Sequence, residues 1–157
     1  MKLTSLGLDI SQDLVLESME LILSKAKESG ITVTLDMEDS SRCHAILDVY
    51  KKLCQKYDNV GTVIQSYLYV SEKDVDDLNQ CSPYLRLVKG AYNESGKVAF
   101  QEKKKVDENL KHLIKKQLLN GHYTAIASHD EAIINYTIGL VKEHNIPNDR
   151  FEFQMLY

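Results

Sequence analysis

Proline and glycine are sparse, with two and seven residues in a chain of 157, and tryptophan is absent. Without clusters of proline, glycine or serine there is no low-complexity linker, and composition marks no domain boundary. One domain over residues 1–157 is expected. Cysteine is scarce too. Cys43, Cys54 and Cys81 are odd in number and fit no metal or redox spacing. Buried or half-buried free thiols in a reducing cytoplasm are the simplest reading. No apolar run approaches the length of a membrane span, and the start of the chain lacks the apolar core of a signal peptide. A net charge of -4 gives no reason to expect nucleic acid. No histidine pair has metal-ligand spacing, so no metal site is expected.

What is present is an alternation of short apolar runs and amphipathic stretches. Strands are expected at residues 2–7, 31–37, 62–68, 85–89, 123–127 and 151–156. Helices are expected at about 13–29, 39–57, 72–79, 103–120 and 130–145, with Asp39, Ser71 and Asp130 as caps. In the first helix Leu14, Leu16, Met19, Leu21, Ile22 and Ala26 suggest one buried face. Such alternation implies a parallel sheet covered by helices. Two architectures share it, an open doubly wound sheet and a closed eight-stranded barrel. An open sheet usually carries a glycine-rich phosphate turn after its first strand, and here no GxGxxG follows.

The polar residues favour the barrel. They sit at the expected C-terminal ends of the strands: Lys2, Asp36 and Glu38, Gln65 and Tyr67, Arg86, Lys89 and Tyr92, Ser128, His129 and Asp130, and Gln154. Barrel enzymes keep their sites there. Asp36, Gln65 and Arg86 stand out because they lie inside apolar strands, where capping does not explain them. Six strands are two short of a closed barrel, so either strands are missing at the ends or the sheet is open.

Arg86, in the run Leu85-Arg86-Leu87-Val88-Lys89-Gly90-Ala91-Tyr92, is costly to bury unless something anionic or electron-rich meets it. Its permanent charge suits a developing negative charge. Tyr92 lies six positions on, an even spacing that strand alternation would aim to the same side. Lys89, Gly90 and Ala91 offer an ammonium and approachable backbone N–H groups to a phosphate. Gln65 can bond a heterocycle through both ends of its amide. Ser128 and His129 precede a helix N-terminus, which favours anions. For His129 hydrogen bonding is expected rather than general-base work, because no triad partners accompany it. Asp36 has two open partners, Lys2 or a substrate ammonium. Together these features suggest a phosphorylated, ring-bearing cofactor across the strand ends. The lysines at 103–105 and 115–116 read as a solvated helix face.

Six motifs in order then resemble bacterial monofunctional proline dehydrogenase: residues 2–7, 35–39, 65–68, 86–92, 128–130 and 151–157. The resemblance covers the whole chain. It implies an α/β fold of the (β/α)8 TIM-barrel type, incomplete here, with about six strand–helix units corresponding to strands two to seven. It also implies non-covalent FAD, oxidation of L-proline to Δ1-pyrroline-5-carboxylate, and electron transfer to a membrane quinone. By resemblance Asp36 and Arg86 would be catalytic, with Arg86 near the reactive flavin nitrogen. Lys2, Tyr92 and Leu156 would contact the substrate, Lys2 as the ion-pair partner of Asp36. Met37, Gln65, Lys89, Gly90, Ala91, Ser128 and His129 would bind FAD. Ser128 stands where the family more often has threonine, a change that keeps the hydroxyl. The resemblance further implies a cytoplasmic protein with peripheral contact at the inner face of the membrane; it leaves the oligomeric state open. The family's closing strand and its helix with a carboxylate-clamping arginine pair have no counterpart in the chain. Little or no turnover by the chain alone is therefore expected. A non-catalytic remnant, a split-enzyme segment needing a partner, and an unrelated open-sheet enzyme are the competing readings.

Overall fold

Two compact units divide the chain, Met1–Val63 and Ile64–Tyr157, and the boundary falls inside a strand. The computed structural model describes residues 1–81 and 83–156.

The first unit holds helix α1 (Gln12–Glu28), strand β1 (Val33–Leu35), helix α2 (Ser40–Cys54) and the start of strand β2 (Val60–Gln65). β1 and β2 run parallel, Val33 opposite Val60 and Leu35 opposite Thr62. Side chains cap both helix starts here, Asp39 as expected from the sequence. The Asp39 carboxylate accepts from the Ser41 N–H at 3.1 Å, and Ser11 Oγ accepts from the Leu14 N–H at 3.4 Å. α1 buries Val15, Met19 and Leu23, one stripe at four-residue spacing. Leu14 and Leu21, expected in the buried face, are 44% and 76% exposed. They lie two turns apart on the neighbouring stripe, which solvent takes instead. α2 answers with Ile46, Leu47, Tyr50 and Leu53. Each such side chain contributes about 1.5–3 kcal/mol by leaving water. Asn59 Nδ2 donates to Leu23 O (3.0 Å) and Ile31 O (3.1 Å), tying the segment before β2 to α1 and the lead-in of β1.

Residues 2–7 are not a strand. A 3-10 turn occupies Thr4–Leu6 and Gly7 closes it at φ 94°. Glu38 explains the turn. Its buried carboxylate accepts from the Thr4 N–H (3.2 Å) and the Thr4 hydroxyl (2.8 Å), pulling the backbone into a bend. Strand-like pairing survives only at Met1, whose N–H donates to Thr34 O (2.7 Å) and whose carbonyl accepts from the Asp36 N–H (2.8 Å).

The second unit holds the end of β2, then helix α3 (Ser71–Leu78), strand β3 (Tyr84–Val88), helix α4 (Lys103–Leu119), strand β4 (Thr124–Ala127), helix α5 (Glu131–Glu143) and strand β5 (Phe151–Gln154). Just past β2, the N–H groups of Ser66 and Tyr67 donate to Val88 O (2.8 Å) and Lys89 O (2.9 Å). β3 pairs parallel with β4, and β4 with β5. Five strands are described rather than six, because the first expected one is the 3-10 turn. Leu85 and Leu87 of β3, Leu110, Leu113 and Ile114 of α4, and Ile133 of α5 form the core here, all fully buried. Ser71 is not a cap. It begins α3 and turns its hydroxyl back to Leu68 O at 2.8 Å, while Asn109 Nδ2 bridges Ser66 O and Ser71 Oγ. Lys103, Lys104 and Lys105 are exposed as expected, but Lys116 is half-buried on Asp76 at 2.7 Å.

Cys43 is a buried free thiol, whereas Cys54 and Cys81 are disulfide cysteines, so the free-thiol expectation holds for Cys43 alone. Among the described residues no helix is long and apolar enough to cross a membrane.

Candidate functional site

Strand alternation sorts β3 into two faces. Leu85 and Leu87 are buried, while Tyr84, Arg86 and Val88 stand half-buried on the other side. The polar positions of the neighbouring strands meet that second face. The Tyr84 ring stacks on Tyr123 with centroids 4.6 Å apart and planes 10° from parallel. The Tyr84 hydroxyl donates to Glu152 Oε1 at 3.0 Å, and Gln154 Nε2 donates to the same oxygen at 2.6 Å. Gln154 Oε1 in turn accepts from Arg86 Nε at 2.5 Å. A chain of side chains thus runs from the stacked tyrosines to the guanidinium.

At its end lies a cavity of about 480 Å³. Val88, Ala127 and Gln154, the last residues of β3, β4 and β5, line it together with Arg86, Ser128, His129, Met155 and Leu156. The cavity therefore sits at the C-terminal ends of parallel strands, where ligands bind in this class of fold. Four of the predicted site residues meet there: Arg86, Ser128, His129 and Leu156. His129 Nε2 accepts from the Leu156 N–H at 3.2 Å, which fixes the ring at the cavity edge. Ser128 Oγ accepts from the Asp130 N–H at 3.1 Å and retains its proton as a donor.

Lys89 is placed differently from the expectation. Its ammonium lies 2.6 Å from both Asp107 Oδ1 and Asp130 Oδ2, and Lys103 approaches the same two carboxylates at 3.5 and 3.3 Å. Two cations and two anions balance, so Lys89 offers no uncompensated charge to a phosphate. Burial pulls its ammonium down, but the bonds to Asp107 and Asp130 outweigh this and hold it above its ordinary value. The Lys89 contact, with the Ala132 N–H, holds the Asp130 carboxyl well below the usual range. Asp130 also caps α5 through that N–H at 2.9 Å, so a carboxylate already fills the anion position at the helix start.

Gly90 adopts φ 115°, and a Cβ built there would meet the Tyr67 ring at 2.3 Å. The space that the missing side chain leaves is thus taken on that side by Tyr67. β3 ends at Val88, so the even spacing from Arg86 to Tyr92 does not carry through. Tyr92 is 36% exposed and, like the exposed Ala91, is not in the cavity lining. Gln65 ends β2 as a buried residue. Burial and, after it, Glu152 push the Tyr84 phenol up; Tyr123 rises for the same reasons.

In the first unit Met37 is buried next to Asp36, and Asp36 Oδ2 lies 3.0 Å from the α-ammonium of Met1. The Lys2 side chain, expected in that position, is exposed. Glu38 is the functional-looking carboxylate that the sequence placed at a strand end and the structure turns to Thr4. Glu152 and Tyr84 were missed altogether. The signal for Glu152 was the Phe-Glu-Phe-Gln alternation of β5, which puts Glu152 and Gln154 on one face, and the signal for Tyr84 was its place two residues before Arg86 in β3. Tyr157, in the last matching motif, lies outside the described residues.

A family model described as proline dehydrogenase matches residues 2–157. Proline dehydrogenase 2 of Bacillus subtilis strain 168 is 61% identical over 157 residues, which is 100% of this chain and 52% of that protein. Proline dehydrogenase of Deinococcus radiodurans is 43% identical over 161 residues, covering 99% of this chain and 52% of its own length. The chain thus spans about half the length of these curated relatives. Among solved structures, proline utilization A from Bdellovibrio bacteriovorus superposes with a TM-score of 0.91 at 28% identity, over 100% of this chain and 20% of that one. The fold class is accordingly α/β, the parallel strand–helix alternation of an incomplete (β/α)8 barrel.

Proposed function

Because this chain belongs to the proline dehydrogenase family, we propose that it serves in the FAD-dependent oxidation of L-proline to Δ1-pyrroline-5-carboxylate, with the electrons passed to a quinone. The observation that carries the reading is the Arg86 guanidinium at the wall of the cavity, fixed by Gln154. The residues fit the cofactor. A volume of about 480 Å³ suits a small-molecule pocket, and the lining joins a guanidinium, a hydroxyl and an imidazole to the apolar Val88, Ala127 and Leu156. That set matches the polar edges and flat faces of a fused heterocycle.

FAD, when bound, supplies the two-electron acceptor for the oxidation. Arg86 holds a permanent positive charge where negative charge develops on reduction, already oriented and needing no rearrangement. Ser128 donates its hydroxyl proton to a ring acceptor, and His129, held by the Leu156 N–H, presents a fixed imidazole beside it. Val88 and Ala127 give the cavity an apolar wall for a flat ring to pack against, with the exposed Leu156 at its rim. Gln65, Gly90, Ala91 and Met37 as cofactor contacts, Lys2, Asp36 and Tyr92 as substrate contacts, and peripheral membrane contact for quinone access rest on the family resemblance. For Lys89 too the resemblance implies a cofactor contact, made by an ammonium that is paired with Asp107 and Asp130.

The test is a visible absorbance spectrum of the purified chain with FAD, before and after L-proline, for wild type and R86M. A protein-bound flavin band is expected in the wild type and a weaker one in R86M, with at most slow bleaching by proline. Flavin that elutes free of the wild-type protein would sink the reading.

A further inference from the structure

The side-chain amide of Gln154 bonds two unlike partners. Its Nε2 donates to Glu152 Oε1 at 2.6 Å, and its Oε1 accepts from Arg86 Nε at 2.5 Å. Turning the amide over would set an NH₂ donor against the Arg86 N–H and a carbonyl against the Glu152 carboxylate. Both contacts would then be repulsive. A carboxylate accepts and cannot donate, so Glu152 selects the orientation that turns the carbonyl toward Arg86. Tyr84 completes the device. Its hydroxyl donates to the same Glu152 oxygen at 3.0 Å, and its ring is clamped by the stack on Tyr123. Glu152 and Gln154 are two residues apart on β5, on one face, with their pairing strand and Arg86 set by the sheet.

We propose that Glu152 is a positioning residue: by locking the Gln154 amide, it aims the Arg86 guanidinium at the cavity. The functional importance of that aim rests on the flavin reading above, while the lock itself is a property of the protein alone. Its chemistry makes a specific demand. What matters at position 152 is a group that only accepts, because a neutral amide of the same shape can pair with Gln154 in either orientation. A carboxylate at position 154 would need no lock, since both of its oxygens accept from Arg86.

The experiment compares wild type, E152Q and the exchange variant E152Q/Q154E by NMR of the arginine Nε–H and glutamine NH₂ groups, in the full chain without ligand. The Arg86 signal is assigned by its loss in R86K. Wild type should give a slowly exchanging Arg86 Nε–H and a protected Gln154 NH₂. E152Q should raise Arg86 Nε–H exchange about tenfold, the loss of one charge-linked hydrogen bond, and the exchange variant should restore wild-type protection. An unprotected Arg86 or Gln154 in wild type would overturn the proposal without any variant needing to fold. So would an unchanged Arg86 signal in E152Q, or an exchange variant no better than E152Q. With FAD added, the midpoint potential of bound flavin should fall in E152Q and recover in the exchange variant. A wild-type chain that takes up no FAD counts against the flavin reading, while the Arg86 signals still decide the lock.

Discussion

Replacing Gly90 by alanine puts a methyl carbon where the Tyr67 ring already stands. The added Cβ would lie 2.3, 2.4 and 2.6 Å from Cδ1, Cε1 and Cγ of that ring. Carbon atoms pack at about 3.5–4.0 Å, so ring or backbone must give way by roughly 1 Å. Neither moves freely. Tyr67 is buried, its N–H donates to Lys89 O at 2.9 Å, and its carbonyl accepts from the Phe100 N–H at 2.8 Å. Overpacking of this kind costs about 1–3 kcal/mol. The backbone at φ 115° adds a second cost, about 1–3 kcal/mol for a residue with a Cβ. Alanine also stiffens the unfolded chain, which returns about 0.4–1 kcal/mol. The net loss is therefore about 1–5 kcal/mol, a large share of the roughly 5–15 kcal/mol that a folded protein has. Urea denaturation followed by circular dichroism should move the midpoint of G90A down by about 0.5–2.5 M. The packing part can be separated from the backbone part by adding Y67L. In the double variant the methyl gains room, and a coupling of about 1–3 kcal/mol should appear between the two sites. A G90A midpoint equal to wild type, or additive single and double variants, would refute the close approach of Tyr67 as the reason for glycine here.

Two pH predictions follow from the side chains around the cavity. The Asp130 carboxyl is held down in the folded chain, so its stabilising effect is present above the ordinary carboxylate value near 4 and is lost as pH falls. D130N keeps a capping oxygen but loses the charge. It should be less stable than wild type at pH 7, with the gap closing below about pH 4; a gap constant with pH would contradict the Lys89 pairing. The Tyr84 phenol is raised by burial and by Glu152, so its contribution is complete below the ordinary phenol value near 10 and is lost as pH rises past it. The stability difference between wild type and Y84F should be flat from neutral pH to about 9 and should then shift against wild type. A difference still flat at pH 12 would mean that the phenol is not sheltered on Glu152.

Much of the architecture could be read along the chain because its causes are local. Asp39 and Asp130 announce helix starts by offering a carboxylate to an N–H two residues on, and both do so. The β-branched and apolar runs around 31–37, 62–68 and 123–127 become β1, β2 and β4 with shifted ends. Arg86 flanked by Leu85 and Leu87 betrays its special place, since alternation must turn it away from the buried leucines. Residues 2–7 misled because their bend is made by Glu38, more than thirty positions away. Ser71 misled because the helix begins on it, and its oxygen accepts from Asn109 Nδ2, 38 positions on, rather than from a helix N–H.

By itself the sequence determined the order of the elements, the positions of most caps, and the identity of the residues at the strand ends, because periodicity and capping act over a few neighbours. Tertiary structure decided who meets whom. Lys89 pairs with Asp130 across 41 positions, and Arg86 finds Gln154 across 68. Such partners share no local pattern. They are brought together only when parallel strands fall into register and each side chain takes the face that the pleat assigns to it.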